Sequence, residues 1–517
     1  MATVGKNILD NLTTGMYSDS KVIFREYIQN ACDQIDKAIK QNLLAENEGL
    51  VDIYIDSSKR YISIRDNATG VQSNSFIADL GDIANSNKLR GENKGFRGIG
   101  RLCGLAYCKT LKFSTSFFGE PKKSIMICDA QTMREMLAEE KKYTLDEIWD
   151  TIVSFQTADE QKDEHYFEVE LIDINKANTD LLNVDKVKEY LHFVAPVPYK
   201  NTFILRSEIY NHAKQIGYKI DEYCIKVNGM QLFKEYTTRL KEANGTNIKN
   251  YDEISKLEFH DFYSQEGELL AWMWIGLSRF EKQIPKFNKM RGLRLRSANI
   301  QIGGDDSLKG LFKEDRGNYY FVGEVFAASK KLIPNSQRNY FNENETRVEF
   351  EDMLRVYFFD ILHKLYTDAN KMKNAYKRQE TYVAAVEEFN KKIQEHGFVD
   401  DAERQKMEYQ IDKARTEAED ARKQIEKYKK TQSDSPLAEV HRSIERKYDS
   451  GELVNKASVT SIMDHSTDKK EVFITSGMSK LSKKERKLVA RLLSIITDNA
   501  PKEIAEIIIA KIKEDLK

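Results

Sequence analysis

The 517-residue sequence is poor in the features that commit a chain to zinc, to a membrane or to export. It has five cysteines, Cys32, Cys103, Cys108, Cys128 and Cys224, with no C-x-x-C spacing. That pattern disfavours a zinc site, and reduced thiols favour a cytosolic setting. No apolar run approaches the roughly 20 residues that a membrane span needs. The N-terminal stretch MATVGKNILDNLTTGMYSDS lacks a basic-then-apolar signal pattern. The expectation is a soluble, cytoplasmic protein with no membrane partner. Charge excess is missing too: 81 Lys and Arg face 82 Asp and Glu, a net charge of −1. Such a balance gives no global argument for nucleic acid. Lysine-rich stretches such as KYKK and SKKERK keep nucleic acid open without favouring it.

What the chain does have is enough apolar material for real cores, 40% hydrophobic and 10% aromatic, and 32% charged residues, a share that suggests long solvated helices. Its length suits roughly three or four domains. Residues 1–180 mix helical and strand patterns. VDIYIDSSKRYISIRD (51–66) reads as two strands around a Ser-Ser-Lys turn, and residues 110–129 and 164–174 add further strands. This is α+β layering and not a βαβ repeat. Residues 181–365 read as a second α/β domain, with strands expected in AWMWIGLSRF (271–280), RGLRLRSANIQIGG (291–304) and GNYYFVGEVFAAS (317–329). Residues 366–430 read as a coiled-coil-like hairpin of two helices, apolar at Tyr382, Val386 and Phe389 on the first arm and sparse on the second. Residues 431–517 are a linker and a helical C-terminal region. There Ser482 and Glu485 form a capping box, Leu488, Leu492, Ile495 and Ile496 make a stripe, and Pro501 opens a last helix.

Three stretches carry the chemistry. In FREYIQNACDQIDKAI (24–39), Glu26, Asn30 and Asp33 share one narrow sector at about 100° per residue, while Phe24, Ile28, Ala31, Ile35 and Ile39 lie opposite. By itself this fits a helix with one core side and one solvated side. In SIRDNATGV, Asp66 closes an apolar strand and a turn follows through Ala68 to Gly70. An acid there can accept a hydrogen bond from an exocyclic amine, and a glycine lets a flat ring approach the backbone. In IANSNKLRGENKGFRGIGRLCGLAYC (83–108), Gly91, Gly95, Gly98, Gly100 and Gly104 crowd a short span with Lys88, Arg90, Lys94 and Arg97. A glycine-rich turn at a helix N-terminus cradles phosphate. The spacing is neither a P-loop nor a dinucleotide fingerprint.

In this order the three stretches resemble the Bergerat-fold (GHKL) ATPases, the superfamily of gyrase, the ninety-kilodalton heat-shock chaperones, histidine kinases and MutL. REYIQNACD matches the Glu-x-x-x-Asn box. DNATG matches the adenine box Asp-x-Gly-x-Gly, with Ala68 in place of the first glycine. GFRGIG matches the glycine motif of the ATP lid, and the Ser-x-Lys of SNK resembles the lid entry of the MORC-type branch. Thr115 and Ser114 are the candidates for the fourth, threonine box. LRLRSANIQIGG and FVGEVFAASKKLIPNSQRNYF resemble the middle, transducer-like domain of chaperone-like and MORC-like proteins, in which an Asn-x-x-Arg loop sends an arginine to the ATP; Asn335 and Arg338 match it.

The resemblance implies an ATP hydrolase that uses ATP and Mg²⁺. It implies Glu26 as the base, Arg338 as an arginine finger, Asn30 as the metal ligand and Asp33 close to the water. It implies Asp66 and Gly70 on the adenine side, Ser86 and Lys88 on the lid, and Gly95, Phe96, Arg97, Gly98, Ile99 and Gly100 on the phosphates. It further implies a homodimeric, ATP-gated clamp acting on a protein client or partner subunit. Two alternatives stand beside it: a MORC-like DNA clamp, and a nucleotide-sensing scaffold of a bacterial defence or stress system with little turnover.

Overall fold

Alternating apolar residues in LVDIYID and YISIRD make a strand hairpin. β1 (Leu50–Asp56) pairs antiparallel with β2 (Tyr61–Asp66), Ile53 opposite Ile64. The computed structural model describes residues 5–13, 19–82, 100–394, 397–430, 435–448, 456–457, 460–462, 474–476, 478 and 480–516. Two compact units divide the chain: Met1–Ser278 with Lys282–His363, and Arg279–Glu281 with Lys364–Lys517.

In the first unit the hairpin sits inside an eight-stranded sheet. Along it run β3 (Cys108–Ser116), β4 (Lys122–Asp129), β5 (Val153–Asp159), β6 (Tyr166–Ile174), β7 (Cys224–Val227) and β8 (Met230–Gln231) in the order β5-β4-β3-β6-β2-β1-β7-β8. Every pairing is antiparallel except β1 with β7. The sheet therefore runs past residue 180 and ends on strands at 224–231. The helix Val22–Lys40 packs on β1 and β2, and its Phe24, Ile28, Ala31 and Ile35 join Ile53, Ile62, Ile64, Leu111 and Phe113 in one core. The period-2 alternation of the strands explains why a single face is apolar.

β9 (Arg239–Asn244) and β10 (Asn247–Glu253) pair as a two-stranded ribbon, and a five-stranded second sheet has the order β11-β12-β15-β13-β14, from β11 (Lys256–Tyr263), β12 (Leu269–Leu277), β13 (Gly292–Ser297), β14 (Ile300–Ile302) and β15 (Val322–Ala327). β12 and β15 are buried almost throughout, as their continuous apolar runs anticipate. The strand expected over 317–329 is shorter. Residues Asp315–Tyr320 form a 3₁₀ turn in which Asn318 is buried, and its amide donates to the Asp305 carbonyl while its side-chain oxygen accepts from Leu293 N–H.

This sheet encloses a charged cluster with no solvent contact. Glu324 on β15 accepts from Lys234 Nζ at 3.0 Å and from the Tyr236 hydroxyl at 3.0 Å, and also binds Arg296 on β13 and the Tyr199 hydroxyl. Lys234, Arg296 and Glu324 are all fully buried. Arg296 reaches back to the Phe193 carbonyl at 2.8 Å, and Lys234 to Asn299 Oδ1 at 2.7 Å. The cluster thus ties segments at 193–199, 234–236 and 296–299 to a central strand. Burial by itself would raise the Glu324 carboxyl, but Arg296 and Lys234 override it and hold it down to about 2.

In the second unit, the helices His363–Gln394 and Asp401–Lys429 meet through Tyr382, Val386, Phe389 and Ile393 on one side and Phe398, Ile411 and Ala418 on the other. The second arm looks sparse in sequence because its buried contacts include the alanines 418 and 421. Gln379 fills part of the seam by donating to the Ala418 carbonyl. The capping box of Ser482 and Glu485 is formed in both directions at the start of the helix Lys483–Asn499, and the helix Lys502–Asp515 follows.

A carboxyl that folding depresses from 4.5 to about 2 stabilises the fold fully above its unfolded value and loses that stabilisation as the pH falls toward 2. Glu324→Gln leaves Arg296 and Lys234 without their counter-charge and should cost about 3–5 kcal/mol. Urea unfolding followed by the fluorescence of Trp272 and Trp274 should show the variant less stable at neutral pH. It should also show a shallower acid-side slope than the wild type. Identical slopes would contradict the assignment.

Candidate functional site

The helix Val22–Lys40 places its polar sector toward the interior of the first unit. Glu26 and Asp33 are each 7% exposed, and Asn30 is half-buried. The alternative of a solvated helix face is thereby ruled out for the two acids. Glu26 Oε1 stands 3.1 Å from Arg338 Nε and 3.7 Å from Arg25 Nε. Neither approach gives it hydrogen-bond geometry, so among the described residues this buried oxygen has no hydrogen-bond donor. A carboxylate so placed is costly without cations nearby and is poised to bind a water.

Arg338 arrives from a loop far along the chain, between β15 and the helix Glu345–Tyr357. Its N–H donates to the Asn335 carbonyl at 3.1 Å, closing the Asn-x-x-Arg turn. Its own carbonyl accepts from Gly303 N–H at 2.8 Å. Its backbone is left-handed, φ +53°, a conformation that costs of order 1 kcal/mol or more for a residue with a side chain. Arg25 fastens the loop from the other side, donating to the Gln337 carbonyl at 3.1 Å.

Asp66 ends β2 and is 4% exposed. Its Oδ1 accepts from Ala68 N–H at 3.0 Å, which shapes the turn that follows. Ala68 is fully buried in the core and its backbone is not left-handed, so the position has no need of glycine. Gly70 is different. Its φ is +64°, and a Cβ there would overlap the Ser116 carbonyl. Thr115 stands beside this turn: its hydroxyl accepts from Val71 N–H at 2.9 Å and donates to the Tyr166 carbonyl at 2.7 Å. Strand alternation points Ser114, opposite Glu168 in β6, to the other face of the sheet.

Residues 83–99 lie outside the described residues, and with them Ser86, Lys88, Gly95, Phe96, Arg97, Gly98 and Ile99. Gly100 opens the 3₁₀ segment Gly100–Ala106 directly against Glu26; a Cβ on it would lie 2.6 Å from Glu26 Oε2. Tyr27 holds that segment, donating to the Arg101 carbonyl at 2.9 Å and accepting from Gly104 N–H at 3.0 Å. Cys103, buried behind Glu26, has its thiol pushed up by burial and then by the Glu26 charge.

The sequence reading missed Arg25, Tyr27 and Gln29. Gln29 is 1% exposed and neither of its amide atoms is hydrogen-bonded among the described residues; it flanks the Glu26 sector on the helical wheel, which is a signal in the sequence. Arg25 could not be found that way, because its role depends on a loop distant in sequence. Among the described residues no cluster of three or more His, Cys, Asp or Glu could hold a metal by itself. Asn30 beside a buried, unsatisfied carboxylate instead suits Mg²⁺ that arrives with phosphate and keeps most of its waters.

Comparison with known proteins agrees with this geometry. Residues 17–165 match the family model described as "Histidine kinase-, DNA gyrase B-, and HSP90-like ATPase". The chaperone protein HtpG of Helicobacter hepaticus is 36% identical over 85 residues, 15% of this chain and 14% of its own length. HtpG of Burkholderia cenocepacia is 29% identical over 161 residues, 28% of this chain and 24% of its own. The mitochondrial 75 kDa heat shock protein of Bos taurus is 33% identical over 85 residues, 16% and 12%. These matches span 12 to 24% of the relatives' own length. No helix among the described residues is long and apolar enough to cross a membrane. The sheet, the buried acid on its helix, the Asp66–Gly70 turn and these similarities together make this chain the bearer of a Bergerat-fold ATPase domain of the GHKL class, resembling that of the heat-shock-90 chaperones.

Proposed function

We propose that the protein is an ATP-hydrolysing, chaperone-like clamp in which the 181–365 region acts as the transducer for the 1–180 ATPase. The observation that carries this reading is the approach of Arg338 to Glu26, which brings a cation of the middle region onto the base of the ATPase helix. Glu26 orients a water and accepts its proton as the water oxygen attacks the γ-phosphorus. The bond to the bridging oxygen breaks, and ADP and phosphate leave. Arg338 stabilises the charge that develops on the transferred group. Gly100 leaves room for a water or phosphate oxygen beside Glu26. Asp66 accepts the adenine amine, and Asp33 supports water next to the base. Mg²⁺, held through the Asn30 oxygen, would supply charge neutralisation on the phosphates. Ser86, Lys88 and the Gly95–Gly100 motif complete the phosphate side.

The same contact explains coupling. Hydrolysis proceeds only while the 335–339 loop is seated, so the position of the middle region is read directly by the chemistry. The C-terminal helices supply a candidate dimer contact. Leu488, Leu492 and Ile495 on one and Ile504 and Ile507 on the next are at least half exposed, an apolar surface of the kind that marks interaction sites. A homodimer joined there, with a protein client or partner subunit, is the assembly we infer.

Glu26→Ala should lower kcat by about 100-fold or more while nucleotide affinity is kept; full turnover in that variant would refute the role. Arg338→Ala should reduce kcat on a similar or larger scale, since an arginine finger contributes about 10³-fold or more, with little change in affinity. Asp66→Asn should weaken ATP binding about tenfold or more, whereas Ala68→Gly should leave affinity near wild type, as calorimetry with a non-hydrolysable analogue would show. Removing the chain from Leu481 onward should convert dimer to monomer in light scattering, and an unchanged mass would place the contact elsewhere. Measuring ATPase rates with unfolded protein and with DNA separates a protein client from nucleic acid.

A further inference from the structure

Next to the Glu26–Arg338 pair lies a cleft of about 1290 Å³, larger than the roughly 300–1,000 Å³ typical of small-molecule sites. Among the described residues it is lined by eight lysine and arginine side chains and four acidic ones. In a chain with a net charge of −1 that is a local excess of positive charge.

The acids are already used. Asp19 pairs with Lys21 at 2.9 Å, Glu189 with Lys289 at 2.5 Å, Asp305 with Arg291 at 3.8 Å and Asp306 with Lys309 at 2.9 Å. Cations without such partners remain. Lys186 and Lys286 are exposed on the rim and form no ion pair among the described residues. Arg294 is 6% exposed on the floor, over the Phe193 ring at 4.3 Å, bonded to Gln301 Oε1 at 2.8 Å and to the Lys289 carbonyl. Its Nε–H has no hydrogen-bond acceptor among the described residues, nor has that of Arg25, 8% exposed, although Arg25 Nε stands 3.7 Å from Glu26 Oε1. Buried guanidinium donors left unsatisfied are costly unless an anion completes them. Burial lowers the proton affinity of Arg294, as expected of a charge short of compensation.

We propose that this cleft is a binding site for a compact, multiply charged anion of the phosphorylated small-molecule class, held by Arg294 and Arg25 on its floor and Lys186 and Lys286 on its rim. Nucleic acid fits less well: its backbone needs a basic stripe running along a surface, and here the surplus cations converge on one cavity whose rim also carries acids. Gln337, Arg338 and Asn339 form one wall, and Arg25 is hydrogen-bonded to Gln337. An anion that engages Arg25 therefore acts on the loop that seats Arg338 on Glu26 and changes the hydrolysis rate. That regulatory step rests on the role proposed above for Arg338, whereas the binding does not.

The probe is inorganic tripolyphosphate, titrated calorimetrically into the full chain saturated with a non-hydrolysable ATP analogue. Binding should persist under saturation and weaken at least tenfold in the double variant Lys186→Glu/Lys286→Glu, whose ATPase rate without tripolyphosphate stays at the wild-type level. Tripolyphosphate should also shift the wild-type ATPase rate and leave that of the double variant unmoved. Loss of binding under saturation, equal affinity in the double variant, or tighter capture of a single-stranded oligonucleotide that the double variant abolishes would each overturn the site. If Arg338→Ala hydrolyses ATP normally while tripolyphosphate still binds, the proposed role of Arg338 fails and the anion site stands.

Discussion

A carboxylate buried on a helix that must also face a hydrophobic core is the constraint around which the first unit is organised. Glu26 is left only 7% exposed, since Phe24 and Ile28 hold the helix against the sheet. Its charge is met by Arg25 on its own helix and by Arg338 from the distant loop. The geometry of the loop, the left-handed backbone of Arg338 and the absence of a side chain at Gly100 all accommodate that meeting. Strain and desolvation are concentrated where the chemistry is proposed, as functional sites commonly show.

The second sheet solves a related problem differently. Its buried charges are fully engaged: Glu324 has ligands on both oxygens, and Lys234 and Arg296 each have further acceptors. A satisfied network of this kind rigidifies. The contrast with Glu26, whose oxygen is unsatisfied, separates a structural cluster from a site that expects a ligand. The rigid sheet gives the 335–339 loop a firm base, since Gly303, just past β14, donates its N–H to the Arg338 carbonyl.

Much of this was legible in the sequence because it is local. The hairpin of β1 and β2 follows from period-2 alternation, the capping box from Ser482 and Glu485, and the order of the three nucleotide stretches marks the ATPase. The resemblance picked out Asn335 and Arg338 as a loop, and the turn that closes it, Arg338 N–H to the Asn335 carbonyl, is seen only in the structure. What sequence could not supply are pairings far apart along the chain, such as Arg25 with Gln337 across 312 residues or Lys234 with Glu324 across 90. Small residues also mislead, since Ala418 and Ala421 form a seam that hydrophobic patterning passes over. The departure at Ala68 from the usual glycine of the adenine box puts no strain on the backbone, because in this turn only Gly70 occupies a region closed to side chains.

The pairing of β7 with β1 has a further consequence. The strand that seals one margin of the ATPase sheet is encoded at 224–227, beyond the residues 17–165 that match the ATPase family model. During synthesis β1 therefore waits with an open edge until some 170 further residues have emerged, and an unpaired edge is a template for intermolecular association. The ATPase sheet is thus completed by its neighbour in sequence, and the two regions of the first unit are obliged to mature as one.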